Sequence, residues 1–120
     1  MSESKLRDQS LEFAVSVINL VKDLKSKHET IISNQIGRSG TSIGMNIREA
    51  QYAHGKADFV AKLQISLKEC YETEYRLELT LKAGIVSEES VKSFLHDCGT
   101  IRRMLIASIS TTKDNLNKSE

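Results

Sequence analysis

The chain has no proline and no tryptophan, and its 120 residues include only three phenylalanines and three tyrosines. Strand-built domains draw on aromatic and β-branched residues bounded by proline and glycine turns, whereas this chain is rich in Leu, Ile, Glu, Lys and Ser. That composition argues against a β-sandwich or barrel, and no proline stands in the way of long helices. Charge of one sign is lacking too. The 17 Lys and Arg stand against 16 Asp and Glu, a formal net charge of +1, so no global field draws the molecule to nucleic acid.

Long hydrophobic runs are also missing. The longest, such as Met104 to Ala107, fall far below the roughly 20 residues that a membrane-spanning helix needs. Glu3, Lys5, Arg7, Asp8 and Glu12 interrupt the start of the chain, which lacks the apolar core of a signal peptide. The expectation is a cytoplasmic protein with no membrane partner. The two cysteines, Cys70 and Cys98, form no C-x-x-C pair and fall on apolar helical stripes. They read as small core hydrophobes in a reducing compartment.

What is present, 39% hydrophobic and 28% charged residues, suffices for one domain with one core. Folding at this length hides roughly two thirds of the surface. Apolar spacing marks four segments: about 4–26, 30–53, 56–83 and 87–113. On the first, Leu6, Phe13, Val17, Leu20 and Leu24 form one stripe, and Leu11, Ala14, Ile18 and Val21 a second roughly 100° away. This width exceeds what a small bundle needs, so the Leu6 to Leu24 face is expected to meet another subunit.

The second segment carries Ile32, Ile36, Ile43, Ile47 and Ala50 with three glycines, Gly37, Gly40 and Gly44. Each glycine costs a helix roughly 1 kcal/mol relative to alanine, a cost that close approach of another helix backbone would offset. The third has Phe59, Leu63, Leu67, Cys70, Leu77 and Leu81 at helical spacing, interrupted by Glu74, which must reach an edge or find a donor. Gly84 reads as the residue that ends this helix, and Ser87 as the cap of a fourth. That fourth carries Val91, Phe94, Cys98, Ile101, Leu105 and Ile109, with a polar, fraying tail from Thr111 to Glu120. Short connections make chain neighbours antiparallel, so the fold class expected is an all-α, up-down-up-down four-helix bundle.

Chemistry-bearing motifs are sparse. The string from Ile36 to Ile43, IGRSGTSI, invites two phosphate-binding readings. A P-loop needs Gly-Lys-Ser/Thr, but Thr41 follows Gly40, and a KH domain needs strands beside its GXXG loop, but the downstream sequence is helical and strand-poor. His28, His54 and His96 are far apart, and no glutamate is followed by histidine in a Glu-x-x-His pattern. Glu69, Glu72 and Glu74 read as a solvated or ion-paired face instead of an acid/base pair. No catalytic residue, cofactor site or metal site is expected. A polar seam is more informative: Gln35, Ser39, Ser42, Asn46 and Glu49 line one helix, and Lys62, Ser66, Glu69, Thr73 and Arg76 the next. Laid together, these stripes would fix register through interhelical bonds, with Asn46 as a register determinant.

The run RSGTSIGMNIREAQYA from Arg38 to Ala53, followed by KADFVAKLQISLKECYETEYRLEL from Lys56 to Leu79, strongly resembles the four-helix-bundle family encoded in bacterial 23S ribosomal RNA intervening sequences. Arg38, Ser39, Ser42, Asn46, Glu49, Glu69, Glu72 and Thr73 all fall on its pattern. The resemblance implies a left-handed bundle, a ring-like homopentamer and no enzymatic activity. Arg76 stands where the family commonly has tryptophan, and Gly55 where a serine usually caps the third helix. Relatives that serve the reverse transcriptases of diversity-generating retroelements imply an alternative role, with RNA, DNA or a protein as partner. The residues available for nucleic acid are Lys22, Lys25 and Lys27 at one bundle end, and Arg102, Arg103 and Lys113 towards the other.

Overall fold

The computed structural model describes residues 2–119, with side chains described for 5–118, so Met1 and Glu120 lie outside the described residues. Four helices follow in order: α1 (Ser2–Ser26), α2 (Thr30–Ala50), α3 (Lys56–Lys82) and α4 (Glu88–Ser119). Each packs on its chain neighbour and α4 returns to α1, which leaves α1 and α3 on one diagonal of a square section and α2 and α4 on the other. The result is a rod of 53 × 21 × 21 Å, with no strand among the described residues.

Buried positions recur at alternating steps of three and four residues. On α1 they are Leu6, Ser10, Phe13, Val17, Leu20 and Leu24; on α2, Ser33, Ile36, Gly40, Ile43, Ile47 and Ala50, with Ser39 buried beside Gly40. On α3 they are Leu63, Ser66, Cys70, Thr73, Leu77 and Thr80, and on α4, Val91, Cys98, Ile101 and Leu105 with Phe94 half-buried between them. A repeat averaging 3.5 residues is that of a coiled-coil seam, in which facing side chains interlock.

The α3 stripe differs from the apolar spacing. Phe59, Leu67 and Leu81 are only half-buried, whereas Ser66, Thr73 and Thr80 are sealed inside. A threonine suits an interior helix position when its hydroxyl donates to its own backbone, as Thr73 does to the Glu69 carbonyl at 2.8 Å and Thr80 to that of Leu77 at 2.7 Å. Two boundaries also shift. α2 stops at Ala50 instead of Ala53, because the amides of Gln51, Tyr52 and Ala53 donate three residues back to Arg48, Glu49 and Ala50 and tighten the chain into a turn. α4 runs on to Ser119 instead of fraying after Thr111, since no proline or glycine follows Gly99 to stop it.

Two helix ends share one geometry with different residues. At the end of α3, Gly84 has φ +71°, its amide donates to Leu81 and the Ile85 amide to Thr80. At the end of α1, His28 has φ +65°, its amide donates to Lys25 and that of Glu29 to Leu24. Both are Schellman ends, which need a left-handed residue that glycine adopts freely and a β-carbon opposes. Ser87 begins α4 as its sequence position implied, accepting from the Ser90 amide at 3.2 Å.

His28→Gly is therefore expected to stabilise the fold by about 1 kcal/mol and Gly84→Ala to destabilise it by a similar amount. Thermal melts of the two variants should shift in opposite directions by several degrees.

Candidate functional site

The α2/α3 interface carries the polar residues picked out by the sequence. Thr73 and Ser39, both fully buried, share a hydroxyl bond of 2.9 Å, and the Ser66 hydroxyl crosses to the Ile43 carbonyl at 2.8 Å. Towards solvent, Arg38 spans Glu69 at 3.4 Å and Glu72 at 3.0 Å, Arg76 donates to the Gln35 carbonyl at 3.2 Å, and Lys62 meets Glu49 at 3.5 Å. The hydrogen bond to Glu72, reinforced by the charge of Glu69, holds the Arg38 guanidinium above its ordinary range. Asn46 and Ser42 do not cross the seam: the Asn46 amide donates to the Ser42 carbonyl, and the Ser42 hydroxyl to that of Arg38, both within α2. Register therefore rests on Ser39, Thr73 and Ser66, because only these make buried bonds from one helix to the other.

On its other flank α2 meets α1 through its glycines. A β-carbon at Gly40 would lie 2.8 and 2.9 Å from the two methyl groups of Val17, one at Gly37 3.2 Å from Val21, and one at Gly44 3.4 Å from the Ser10 carbonyl oxygen. As α2 advances from Gly37 to Gly44, its α1 neighbours thus step back from Val21 to Ser10. The string from Ile36 to Ile43 lies wholly inside α2, so it offers no loop to cradle a phosphate.

Glu74, the carboxylate within the α3 stripe, finds its donor on α4: Arg102 Nε lies 3.1 and 3.3 Å from its two oxygens, and the guanidinium sits 6.0 Å from the Tyr71 ring centroid. Glu69, Glu72 and Glu74 are each engaged by arginine, so no free carboxylate pair converges there. Beside this pair, the Cys98 thiol donates to the Cys70 carbonyl at 3.6 Å. A side-chain hydrogen bond with Cys98, and after it burial, pushes the Cys70 thiol well up from its ordinary range, which keeps it protonated and poorly nucleophilic. Among the described residues no cluster of His, Cys, Asp and Glu could hold a metal ion, and no helix is long and apolar enough to cross a membrane.

The expected oligomer face is not on the surface. Leu6, Phe13, Val17, Leu20 and Leu24 all lie in the chain's own core, because α2 and α4 both close on α1 and Phe13 meets Phe94 edge to face at 6.1 Å. The apolar surface lies beside that stripe, at Leu11, Val15 and Ile18, about half exposed, with Met45 of α2 next to them. A second exposed set, Tyr71, Tyr75 and Leu79, runs along α3. The sequence did carry a signal for it: three apolar residues four apart, one turn after another, offset from the core stripe. Of the cationic residues, Arg102 is taken by Glu74, Lys27 by Asp23 at 3.0 Å, and Arg103 donates to the Thr100 hydroxyl. Lys22, Lys25 and Lys113 are exposed.

Two grooves adjoin the apolar sets. One, of about 250 Å³ between α1 and α2, is lined by Arg7, Leu11, Ala14, Thr41, Met45 and Arg48, with Ser10 and Gly44 at its base. The other, of about 370 Å³, is flanked by Gln35, Tyr71, Glu72, Tyr75, Arg76 and Leu79.

The model of the 23S rRNA-intervening sequence protein family matches residues 2–107. The chain belongs to that family. Among solved structures, it is similar to a protein of unknown function from the S23 ribosomal protein family of Bacteroides thetaiotaomicron, at 46% identity and a TM-score of 0.89, over 92% of this chain and 99% of that one. No curated protein matches it. Within this intervening-sequence protein, Arg76, at the position where the family pattern suggested tryptophan, occupies the second groove and ties α3 to the α2 backbone. Gly55 stands before α3 in extended conformation, and Asp58 accepts the His54 amide at 3.2 Å in place of a serine cap.

Gly40→Ala should lower stability by about 1 to 2 kcal/mol, since overpacking against immobile Val17 outweighs the helix-propensity gain, while Gly55→Ala, with open space around it, should change little. Urea unfolding curves of both variants provide the comparison. Native Cys70 and Cys98 should react with iodoacetamide roughly 100-fold or more slowly than in the unfolded chain, measured by mass spectrometry over time.

Proposed function

We propose that this intervening-sequence protein is a non-catalytic, cytoplasmic assembly protein that works as a closed ring of its own copies. One observation carries the reading: the bundle leaves many large apolar side chains in water, among them Leu11, Val15, Ile18 and Met45 on one face and Tyr71, Tyr75 and Leu79 on another. Contiguous apolar patches of this kind mark surfaces that other proteins cover. The subunit is an antiparallel up-down-up-down bundle with a left-handed twist, which the 3.5-residue repeat of buried positions supports. The ring is a homopentamer, in keeping with the family resemblance.

Contact with RNA or DNA is the second reading, supported by Lys22, Lys25 and Lys113, which stay exposed and which a ring would present repeatedly. Two of the strongest cations for it, Arg102 and Lys27, are engaged in ion pairs, so the assembly role comes first.

Light scattering coupled to size exclusion should give a mass near five copies of 13.4 kDa, about 67 kDa, at micromolar concentration. A mass of one chain would overturn the reading. Structured RNA should bind weakly, without the steep loss between about 50 and 200 mM salt that several phosphate contacts produce. A steep loss from tight binding would favour the second role.

A further inference from the structure

The two apolar surfaces differ in shape and chemistry. The first is a groove between α1 and α2, with Leu11 and Met45 along it and two guanidinium groups on its rim, that of Arg48 and that of Arg7, whose Nε donates to Asp8 at 3.3 Å. The second is a ridge on α3, where Tyr71, Tyr75 and Leu79 rise in successive turns and the exposed Glu78 carboxylate stands among them. Two copies of the first groove would not fill one another. Two rims of arginine would also repel.

A groove and a ridge from different copies do match. Tyr71 to Leu79 spans about 12 Å along the helix, and the groove from Arg7 to Ala14 about 10 Å, so the two are of similar length, with Tyr75 at the middle of the ridge. Tyrosine ring faces and a carboxylate are what guanidinium groups at an apolar rim attract. Tyr75 is 66% exposed, leaving most of its ring free to enter.

We propose that the Arg7/Leu11/Met45/Arg48 groove of one copy receives the Tyr71/Tyr75/Leu79 ridge of the next. This rests on the reading of the protein as a self-assembling ring, and adds which surfaces meet. The pairing is heterologous: each copy presents its ridge on one face and its groove on another, so joining two copies leaves one groove and one ridge open. The groove lies between α1 and α2, whereas the ridge is on α3, flanked by Gln35 of α2. On a square bundle these are adjacent faces, roughly at right angles, and such a wedge closes into a ring of about four or five copies instead of extending as a filament.

The test uses two variants of the full chain, one with a disabled groove (Leu11→Glu with Met45→Glu) and one with a disabled ridge (Tyr75→Glu with Leu79→Glu). All four positions are exposed, and circular dichroism melts verify that each variant is folded. Each variant alone should sediment as a monomer of 13.4 kDa, with association weakened at least 100-fold, and their equimolar mixture should form a dimer of two such chains, about 27 kDa. That dimer joins the intact groove of one variant to the intact ridge of the other and can grow no further. A variant that dimerises alone, a variant that assembles like the wild type, or a mixture that stays monomeric would overturn the groove-and-ridge pairing while an assembled wild type leaves the self-assembly reading standing. A monomeric wild type would overturn both.

Discussion

A β-carbon at residue 40 would collide with both methyl groups of Val17, and Val17 is fully buried with nowhere to go. The close approach of α1 to α2 therefore depends on a glycine placed in the middle of a helix, against its intrinsic preference. Much else follows from that approach. It seats Val17 and Leu24 in the core, brings Ser10 against Gly44, and leaves Leu11 and Met45 side by side on the outside, lining a groove.

The opposite flank of α2 works differently. There the helices are tied by hydroxyls: Ser39 to Thr73 and Ser66 to the Ile43 carbonyl, inside a ring of ion pairs built on Arg38. Buried hydroxyl bonds contribute little net stability, but a shifted register would leave them unsatisfied, so they select one alignment among many apolar ones. α2 is thus the organising helix, pressed close on one side and registered on the other. The same small residues that allow this also leave the molecule with few aromatic side chains to bury, and its tyrosines stand on the surface.

Much of the fold was legible in the sequence because the relevant forces are local. Gly84, Ser87 and the absence of proline act within a few residues of themselves, and the helix ends they imply match the structure. His28 was not legible as a left-handed residue, since nothing in its side chain favours that conformation; the need to turn into α2 imposes it. Thr73 and Thr80 were not legible as core, because an apolar stripe is read from hydrophobicity, and a threonine becomes apolar only when its own helix takes up its hydroxyl. The seam was legible as a set of residues but not as a set of bonds: Ser39 and Thr73 cross between helices, whereas Asn46, a long polar side chain in the same stripe, folds back on α2. The Leu6 to Leu24 stripe was not legible as core, since two apolar stripes on α1 look alike until α2 and α4 cover one of them.

The sequence by itself determined the number of helices, their order, the small-residue character of α2 and membership of the 23S rRNA-intervening sequence family. These depend on spacing and local propensity, which a linear string records directly. Only the tertiary structure decided which apolar stripe is core and which is surface, that Glu74 and Arg102 neutralise each other, and that a groove and a ridge lie on neighbouring faces. Each of those depends on which helices are adjacent in space, and residues 28 or more positions apart meet only after the bundle has closed.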